Sequence, residues 1–371
     1  MDYFLISLML FICTLFGWDS KVQRPAYFII AILFSLVFAF RPKLTPDTPE
    51  YIYIFQSVNI NDGWFSGFER YEAGYCFLNR VVKSITNRHE LLFFLISIIN
   101  YSAFYYVLNK NIRETKKENS NVKFSYYFVP ILAFYTSYYG LLYNSIALRA
   151  GIALSLMFVS FSLFYSKKFI YGLVPLVLAI FFHQTALLAL PLVLLFYFRL
   201  STNRKNALLI LIFSFLIYIT NIRVFTSSVI PYIADMLYSR FPDVTIFWWI
   251  SHYTEGDMSK VGGISLYMLL CFVLGYILLC NSKKDKIDTY TFVYVIGLFI
   301  HSLFGNYSLM VRFTEYFLFS VCIAFGTVFT LQQNIKIGLS TRAIVINRSV
   351  LLIIISLFYY LIFLRNSVQI L

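Results

Sequence analysis

A few ionisable residues of this sequence have types and positions that suit the handling of an anion. Arg149 lies in NSIALRAGIALSLMF (residues 144–158), an otherwise apolar run where a guanidinium is costly. A guanidinium binds phosphate through a planar, two-pronged contact and stays charged at any working pH. His183 and Arg312 likewise stand at the ends of apolar runs. These residues predict a site for a phosphate-bearing ligand beside a membrane.

Carboxylates and further basic residues extend this set. They lie in two long segments between apolar runs, namely Asp47, Glu69, Glu72, Arg240, Asp243, His252, Glu255 and Asp257. We expect no acid or base at mid-depth in any apolar run, which argues against a charge relay through the membrane. The charges therefore predict one site on one face of the protein.

Three of these residues also have a purely structural interpretation. Arg149 fits a snorkelling side chain at the membrane interface. Arg312 fits an ion pair with Glu315, three residues further on. His183 fits a hydrogen-bonded turn residue. We favour the functional interpretation because ionisable groups that face the interior of a helix bundle usually mark a functional site.

The composition is that of an integral membrane protein. Of 371 residues, 60% are hydrophobic and 13% are charged, whereas a soluble domain carries about 25% charged residues. The formal net charge is +13. Most of this excess lies in short loops between apolar runs, so it indicates membrane orientation rather than nucleic-acid binding.

Apolar runs predict twelve membrane spans within a single integral membrane domain, residues 1–371. Their approximate bounds are 3–17, 26–40, 91–108, 125–139, 147–165, 169–182, 185–198, 206–222, 262–280, 290–304, 313–332 and 345–364. The basic short loops predict which side is cytoplasmic, with both termini on the other side. The long segments 41–90 and 223–261 then form outer loops, and the second is expected to include an amphipathic interfacial helix.

Residues 169–198 need a separate interpretation, because this apolar stretch stands between Lys167/Lys168 and Arg199. One very long helix would reverse the side of every later loop. A hairpin that turns at His183–Gln184–Thr185 avoids this reversal. We therefore predict the hairpin, with His183 at its tip in a recess below the outer surface.

Several common reaction motifs are absent from the sequence. It contains no Asp-x-Asp pair, Walker A loop, GxGxxG, HExxH or CxxC. We therefore expect no metal and no cofactor. The substrate is expected to bring its own activated leaving group.

Five local motifs resemble those of one known family. They are Asp47-x3-Tyr51-x3-Phe55 in TPDTPEYIYIF, Glu72-x-Gly74-Tyr75 in RYEAGYCFLNRVV, Arg149 in LRAGIALSL, His183 in FFHQTALLALPL, and Arg312-x3-Tyr316 in VRFTEYF. Across about residues 40–320 the chain resembles the EpsG-like branch of the Wzy-type polysaccharide polymerases. It departs from that pattern at Ala150, where a polar residue is expected, and the segment 223–261 matches none of the motifs.

The resemblance implies a fold and an activity. The fold would be similar to that of metal-independent membrane glycosyltransferases of the GT-C type. The enzyme would lie in a bacterial inner membrane and act on its periplasmic face. It would join undecaprenyl-diphosphate-linked oligosaccharide repeat units and release undecaprenyl diphosphate. The product would be O-antigen, capsule or exopolysaccharide, and a chain-length regulator protein is a candidate partner.

The resemblance also suggests roles for individual residues. The leading catalytic base is His183, with Asp47 and Glu72 as alternatives. The diphosphate-binding residues are expected to be Arg149, Arg312 and Arg240. The remaining candidates would bind substrate, namely Tyr51, Glu69, Tyr75, Tyr316 and His252.

Other functions stay open from the sequence alone. A lipid-linked oligosaccharide flippase or transporter would also need a basic cavity, although such proteins favour midplane sites in paired repeats. A membrane O-acyltransferase would use an isolated histidine. An O-antigen ligase would carry out the same kind of transfer to a different acceptor.

Overall fold

The computed structural model describes residues 22–43, 45–59, 72–118, 127–220, 222–242, 264–305, 308–330 and 341–368. These residues form helices joined by short connections, and none of them lies in a β-strand. The helices are α1 (Gln23–Ala39), α2 (Thr48–Ser57), α3 (Ala73–Ile85), α4 (His89–Glu118), α5 (Phe128–Tyr135), α6 (Leu148–Tyr165), α7 (Phe169–Phe182), α8 (Leu190–Tyr197), α9 (Arg204–Ile219), α10 (Arg223–Arg240), α11 (Leu266–Asn281), α12 (Thr289–Phe304), α13 (Ser308–Leu318), α14 (Ser320–Thr330) and α15 (Thr341–Val368).

The helices follow the predicted apolar runs. The first run, 3–17, lies outside the described residues, and every other run coincides with one helix or with consecutive helical segments. Among the described residues, four helical stretches are long and apolar enough to cross a membrane, namely His89–Lys117, Leu148–Tyr165, Met310–Phe329 and Arg348–Arg365. The chain is thus an all-α polytopic membrane protein, and the count of twelve spans stays a prediction.

Large apolar side chains face outward along several of these helices. On α7, Ile170, Tyr171 and Val174 are exposed, and on α9 so are Leu209 and Phe213. Contiguous apolar surface of this kind is costly in water. It suits contact with lipid tails, while the backbone polar groups are satisfied within the helices.

The described residues divide into two compact units. The first unit contains those up to Phe198 and those from Phe325 onwards, and the second contains those from Arg199 to Ala324. In the first unit α6 packs against α4, α7 and α8, and α1 packs against α4 and α5. In the second unit α12 packs against α9, α10, α11 and α13.

The predicted turn at His183 is present. Helix α7 ends at Phe182, His183 is extended (φ −160°, ψ 120°), and a short 3-10 segment, Gln184–Ala189, leads into α8. The chain then returns towards the start of α7, since Lys167 Nζ donates to the carbonyl of Tyr197. This return confirms the hairpin and places His183 at its tip.

The approach to α6 is irregular. Two consecutive π-helical turns, Thr136–Gly140 and Leu142–Ile146, follow α5. Such turns are rare and often lie at functional sites. They end one residue before α6, so that Arg149 occupies the first turn of that helix. Arg149 therefore lies at the end of a helix, which agrees with the sequence prediction.

Candidate functional site

Three of the predicted site residues are in contact in the first unit, and the carboxylate of one of them, Glu72, connects the other two. Glu72 Oε2 lies 2.5 Å from Arg149 Nη1, and Glu72 Oε1 lies 2.7 Å from His183 Nδ1. The side chains of Arg149, Glu72 and His183 are 24%, 13% and 17% exposed. They form a partly buried cluster that keeps limited access to its surroundings.

Glu72 reaches this cluster from the beginning of a helix. It is the residue that precedes α3, and its side chain makes no capping hydrogen bond to that helix. Its carboxylate bonds Arg149 and His183 instead, while the positive end of the α3 dipole favours its negative charge.

A glycine lets α3 approach the end of α7. A Cβ atom on Gly74 would lie 3.0 Å from the carbonyl oxygen of Phe181 and 3.1 Å from Phe182 Cδ2. Phe181 and Phe182 directly precede His183. The absent side chain at Gly74 therefore permits the contact between Glu72 and His183, which gives the Glu-x-Gly-Tyr motif a packing role.

Tyr51 connects α2 to the first turn of α6. The Arg149 side chain and the backbone of Leu148 lie close enough to the Tyr51 phenol for both to act on its pKa. Both residues belong to the first turn of α6. Burial raises the pKa of the Tyr51 phenol, so it is neutral at physiological pH.

Asp47 and Tyr75 flank Tyr51. Asp47 precedes α2 in a left-handed conformation (φ 59°), which aspartate tolerates better than most residues. Its charge acts on the Tyr51 phenol. The ring of Tyr75 is buried, and its centroid lies 5.7 Å from that of Tyr51 in an edge-to-face contact. Both residues thus belong to the same cluster as Arg149.

The environment keeps Glu72 ionised. Burial raises the pKa of its carboxyl, but the hydrogen bond with His183 and the charge of Arg149 outweigh burial and lower the pKa to about 2. Because an ionised carboxylate only accepts hydrogen bonds, His183 donates to it from Nδ1. The other ring nitrogen, Nε2, takes part in no hydrogen bond among the described residues.

The cluster can hold an anion next to a proton acceptor. Arg149 supplies a fixed positive charge beside the N-terminus of α6, where backbone N–H groups also favour anions. His183 supplies Nε2, in the tautomer that Glu72 fixes, as in other carboxylate–histidine pairs. Arg149 contacts one carboxylate oxygen of Glu72, and His183 contacts the other.

Arg41 also lies at this cluster, and the sequence predictions did not include it. Its side chain is buried after α1 and donates from Nε to Thr48 Oγ1 at 2.8 Å. Thr48 is the first residue of α2, the helix that carries Tyr51. A usable signal was its position, since Arg41 opens a predicted outer segment, where the positive-inside rule disfavours a cation.

The other predicted residues lie elsewhere or outside the described ranges. Arg240 is exposed at the end of α10 and Arg312 is exposed on α13, whereas Tyr316 is buried on α13. These three belong to the second unit. No ion pair joins Arg312 to Glu315 among the described residues. Glu69 and His252 lie outside the described residues, as do Asp243, Glu255 and Asp257.

No set of metal ligands is formed by the part of the chain that the structure describes. Within it, no three or more His, Cys, Asp or Glu side chains are grouped so as to hold a metal ion.

Comparison with known proteins gives one match. The model of the EpsG family matches residues 25–371, which is nearly the whole chain and includes every residue of the cluster. No curated protein and no solved structure matches the chain.

Proposed function

Since the chain belongs to the EpsG family, a family of Wzy-like polymerases, we propose that it is a glycosyltransferase that joins lipid-linked oligosaccharide units. The donor is an oligosaccharide on undecaprenyl diphosphate, and the acceptor is the terminal sugar of a second such unit. The growing chain moves onto the newer unit, and undecaprenyl diphosphate is released. The substrate brings its own leaving group, so the reaction needs no nucleotide.

The contact of Glu72 with both Arg149 and His183 is the observation that carries this proposal. A glycosyl transfer from diphosphate needs a cation for the leaving group and a base for the acceptor. The 2.5 Å and 2.7 Å contacts hold one of each beside the same carboxylate. If Arg149 only marked the membrane interface, it would need neither the contact with Glu72 nor a histidine on the other side of that carboxylate.

Arg149 acts on the leaving group. When the bond between the anomeric carbon and the diphosphate oxygen breaks, the electron pair goes to that oxygen. A preorganised cation stabilises this charge more in the transition state than in the ground state, which is the requirement for catalysis. The N-terminus of α6 adds backbone dipoles of the same sign.

His183 acts on the acceptor. The acceptor hydroxyl attacks the anomeric carbon and transfers its proton to Nε2 of His183. Glu72 orients the ring through Nδ1 and stabilises the imidazolium that forms. The proton then passes to water, which returns His183 to its starting state. Glu72 is thus a positioning residue, and of the three predicted bases His183 fits the geometry best.

The remaining predicted residues complete the proposal. Asp47 is exposed beside the cluster and binds sugar or diphosphate groups, whereas Tyr51 and Tyr75 are buried and support the cluster, so their own contact with substrate stays a prediction. The proposed additional contacts to the substrates come from Arg240, Arg312, Tyr316, Glu69 and His252. We extend the proposal to twelve spans in a GT-C-like arrangement, with 41–90 and 223–261 as outer loops of a bacterial inner-membrane protein and the site on the periplasmic face. A chain-length regulator protein is a proposed partner.

A deletion strain tests the proposed function. We expect lipid-linked single repeat units to accumulate on the outer face of the membrane, and polymer to return on expression of the wild-type chain. Accumulation on the inner face would instead indicate a flippase. Polymer of normal length with loss of labelled acetate would indicate an O-acyltransferase. Polymer of normal length that stays on its lipid carrier would indicate a ligase.

A further inference from the structure

Arg41 is a buried cation that contacts four helical elements of the first unit, namely α1, α2, α4 and the second π-helical turn. Only 6% of the residue is exposed. Its Nε donates to Thr48 Oγ1 at 2.8 Å, and its Nη1 donates to the carbonyls of Phe38 at 3.3 Å and Asn144 at 3.1 Å. The guanidinium also lies over the ring of Phe93, 3.7 Å from its centroid.

The charge of Arg41 has no anionic partner in the described part of the chain. All three hydrogen-bond acceptors are neutral, and Nη2 is buried without a hydrogen bond. Burial lowers the pKa of Arg41 to about 10, so it stays charged at neutral pH. Buried charges are normally paired, because an unpaired one is costly. A neutral side chain could also donate hydrogen bonds to Thr48 and to the carbonyl of Asn144, so these two contacts do not explain a cation at this position.

The contacts of Arg41 connect the backbone segments that carry Tyr51 and Arg149. Thr48 begins α2, one turn before Tyr51. Asn144 lies in the second π-helical turn, which leads directly into α6 and Arg149. Because Tyr51 and Arg149 interact electrostatically, Arg41 contacts the backbone segments that carry the two partners of this interaction.

The charge balance of the cluster also favours a second cation. Glu72 already balances the positive charge of Arg149. A diphosphate carries more negative charge than the remaining residues of this cluster offset. Arg41 is close enough to act electrostatically on Tyr51 and Tyr75, and both of these tyrosines also interact with Arg149.

We propose that Arg41 is a positioning residue of the site, which sets Arg149 and Tyr51 for the reaction and adds its positive charge to the field at the diphosphate. This inference rests on the proposed function. The requirement is geometric, since Nε and Nη1 must reach a side chain and two carbonyls at once. A lysine keeps the charge at this position but cannot make the same set of contacts.

Arg41→Lys, compared with a matched control, tests the proposal in the purified full-length protein with a lipid-diphosphate-linked oligosaccharide. The control is Arg348→Lys. Arg348 is also buried, donates to the carbonyl of Phe329 at 2.7 Å and lies over the Phe329 ring, and none of these contacts involves a residue of the cluster. We expect kcat to fall about 10- to 100-fold in Arg41→Lys, with KM almost unchanged. The control should stay within about threefold of the wild type.

Thr48→Val gives a second variant that keeps the charge and the residue volume. It removes only the acceptor of Nε, so we expect kcat to fall in the same direction by a smaller factor. Thermal unfolding of all variants reports whether they fold. If Arg41→Lys does not fold, Thr48→Val decides alone.

Two results would overturn the inference. One is a kcat for folded Arg41→Lys that equals that of Arg348→Lys, and the other is wild-type kcat in Thr48→Val when Arg41→Lys does not fold. Neither would affect the proposed function, which fails separately if the wild-type protein makes no polymer or if Arg149→Ala retains full activity.

Discussion

Replacement of Glu72 by glutamine tests the cluster through its stability. The substitution keeps the shape of the side chain but removes the charge that Arg149 and His183 share. Arg149 then loses its anionic partner in a partly buried position. We expect Glu72→Gln to unfold at a lower temperature than the wild type at pH 7, because breaking such a pair leaves an uncompensated charge.

The pKa of Glu72 sets the size of the effect and its pH dependence. The pKa falls from an ordinary value of 4.5 to about 2 in the folded protein. A shift of this size corresponds to about 3 kcal/mol in the free energy of unfolding at pH 7, at 1.36 kcal/mol for each pKa unit. Since the folded pKa is lowered, the contribution is complete above pH 4.5 and is lost as the pH falls towards 2. At pH 3 it has dropped to about 1 kcal/mol.

Thermal unfolding in detergent, followed at pH 7 and at pH 3, measures this contribution. We expect the unfolding midpoint of Glu72→Gln to lie at least about 5 °C below the wild type at pH 7, and much closer to it at pH 3. Glu114→Gln is the matched control. Glu114 pairs at 3.3 Å with Lys117, whose side chain is 73% exposed, and such surface pairs contribute about 0–1 kcal/mol.

Two observations would refute this reasoning. The first is a midpoint for Glu72→Gln no lower than that of Glu114→Gln at pH 7. The second is a deficit of equal size at pH 7 and pH 3, which would show that the loss does not come from the ionised carboxylate.

Two further substitutions test the packing and the proton transfer. Gly74→Ala places a Cβ 3.0 Å from the carbonyl oxygen of Phe181, so α3 must move away from the end of α7. We expect this movement to separate Glu72 from His183 and to lower kcat at least about tenfold. The control Gly275→Ala crowds side-chain atoms and no backbone, with Leu211 Cδ1 at 3.0 Å and Leu298 Cδ1 at 3.2 Å, and equal kcat losses in both would contradict the explanation. His183→Ala removes the proposed base, and we expect kcat to fall about 10²- to 10⁴-fold. Added imidazole should restore part of that activity, and unchanged kcat without imidazole would exclude His183 as the base.

The sequence allowed the helical segments and several site residues to be predicted. Apolar runs mark membrane helices strongly, because the bilayer satisfies no backbone hydrogen bonds and requires whole helices. Arg149 and His183 were recognisable because an ionisable residue at the end of such a run is unusual. The turn at His183 followed from the charges that flank residues 169–198.

The contacts between these residues could not be predicted from their types. Glu72 is 77 residues from Arg149 and 111 from His183. Its contact with His183 depends on the close approach of α3 to the end of α7 at Gly74, which no periodic pattern reports. The π-helical turns before α6 were also missed, since an apolar run predicts a regular helix equally well.

Arg41 was missed for a different reason. A cation just after an apolar run is a common flank of a membrane helix, so its place on the predicted outer side was too weak a signal by itself, and its burial is known only from the structure. The placement of Arg240, Arg312 and Tyr316 in the second unit could not be read from the sequence either. Their predicted part in the reaction stays a prediction.

The central claim is that Arg149 stabilises the departing diphosphate, and single-turnover rates with a lipid-diphosphate-linked donor test it most directly. The comparison uses wild type, Arg149→Ala and the double variant Arg149→Ala/Glu72→Ala. The double variant also removes the carboxylate that the single substitution leaves without its arginine partner, so it should regain stability. We predict that both variants bind donor but lose at least about 10²-fold in rate. A folded Arg149→Ala protein with the wild-type rate, or recovery of the rate in the double variant, would contradict the claim.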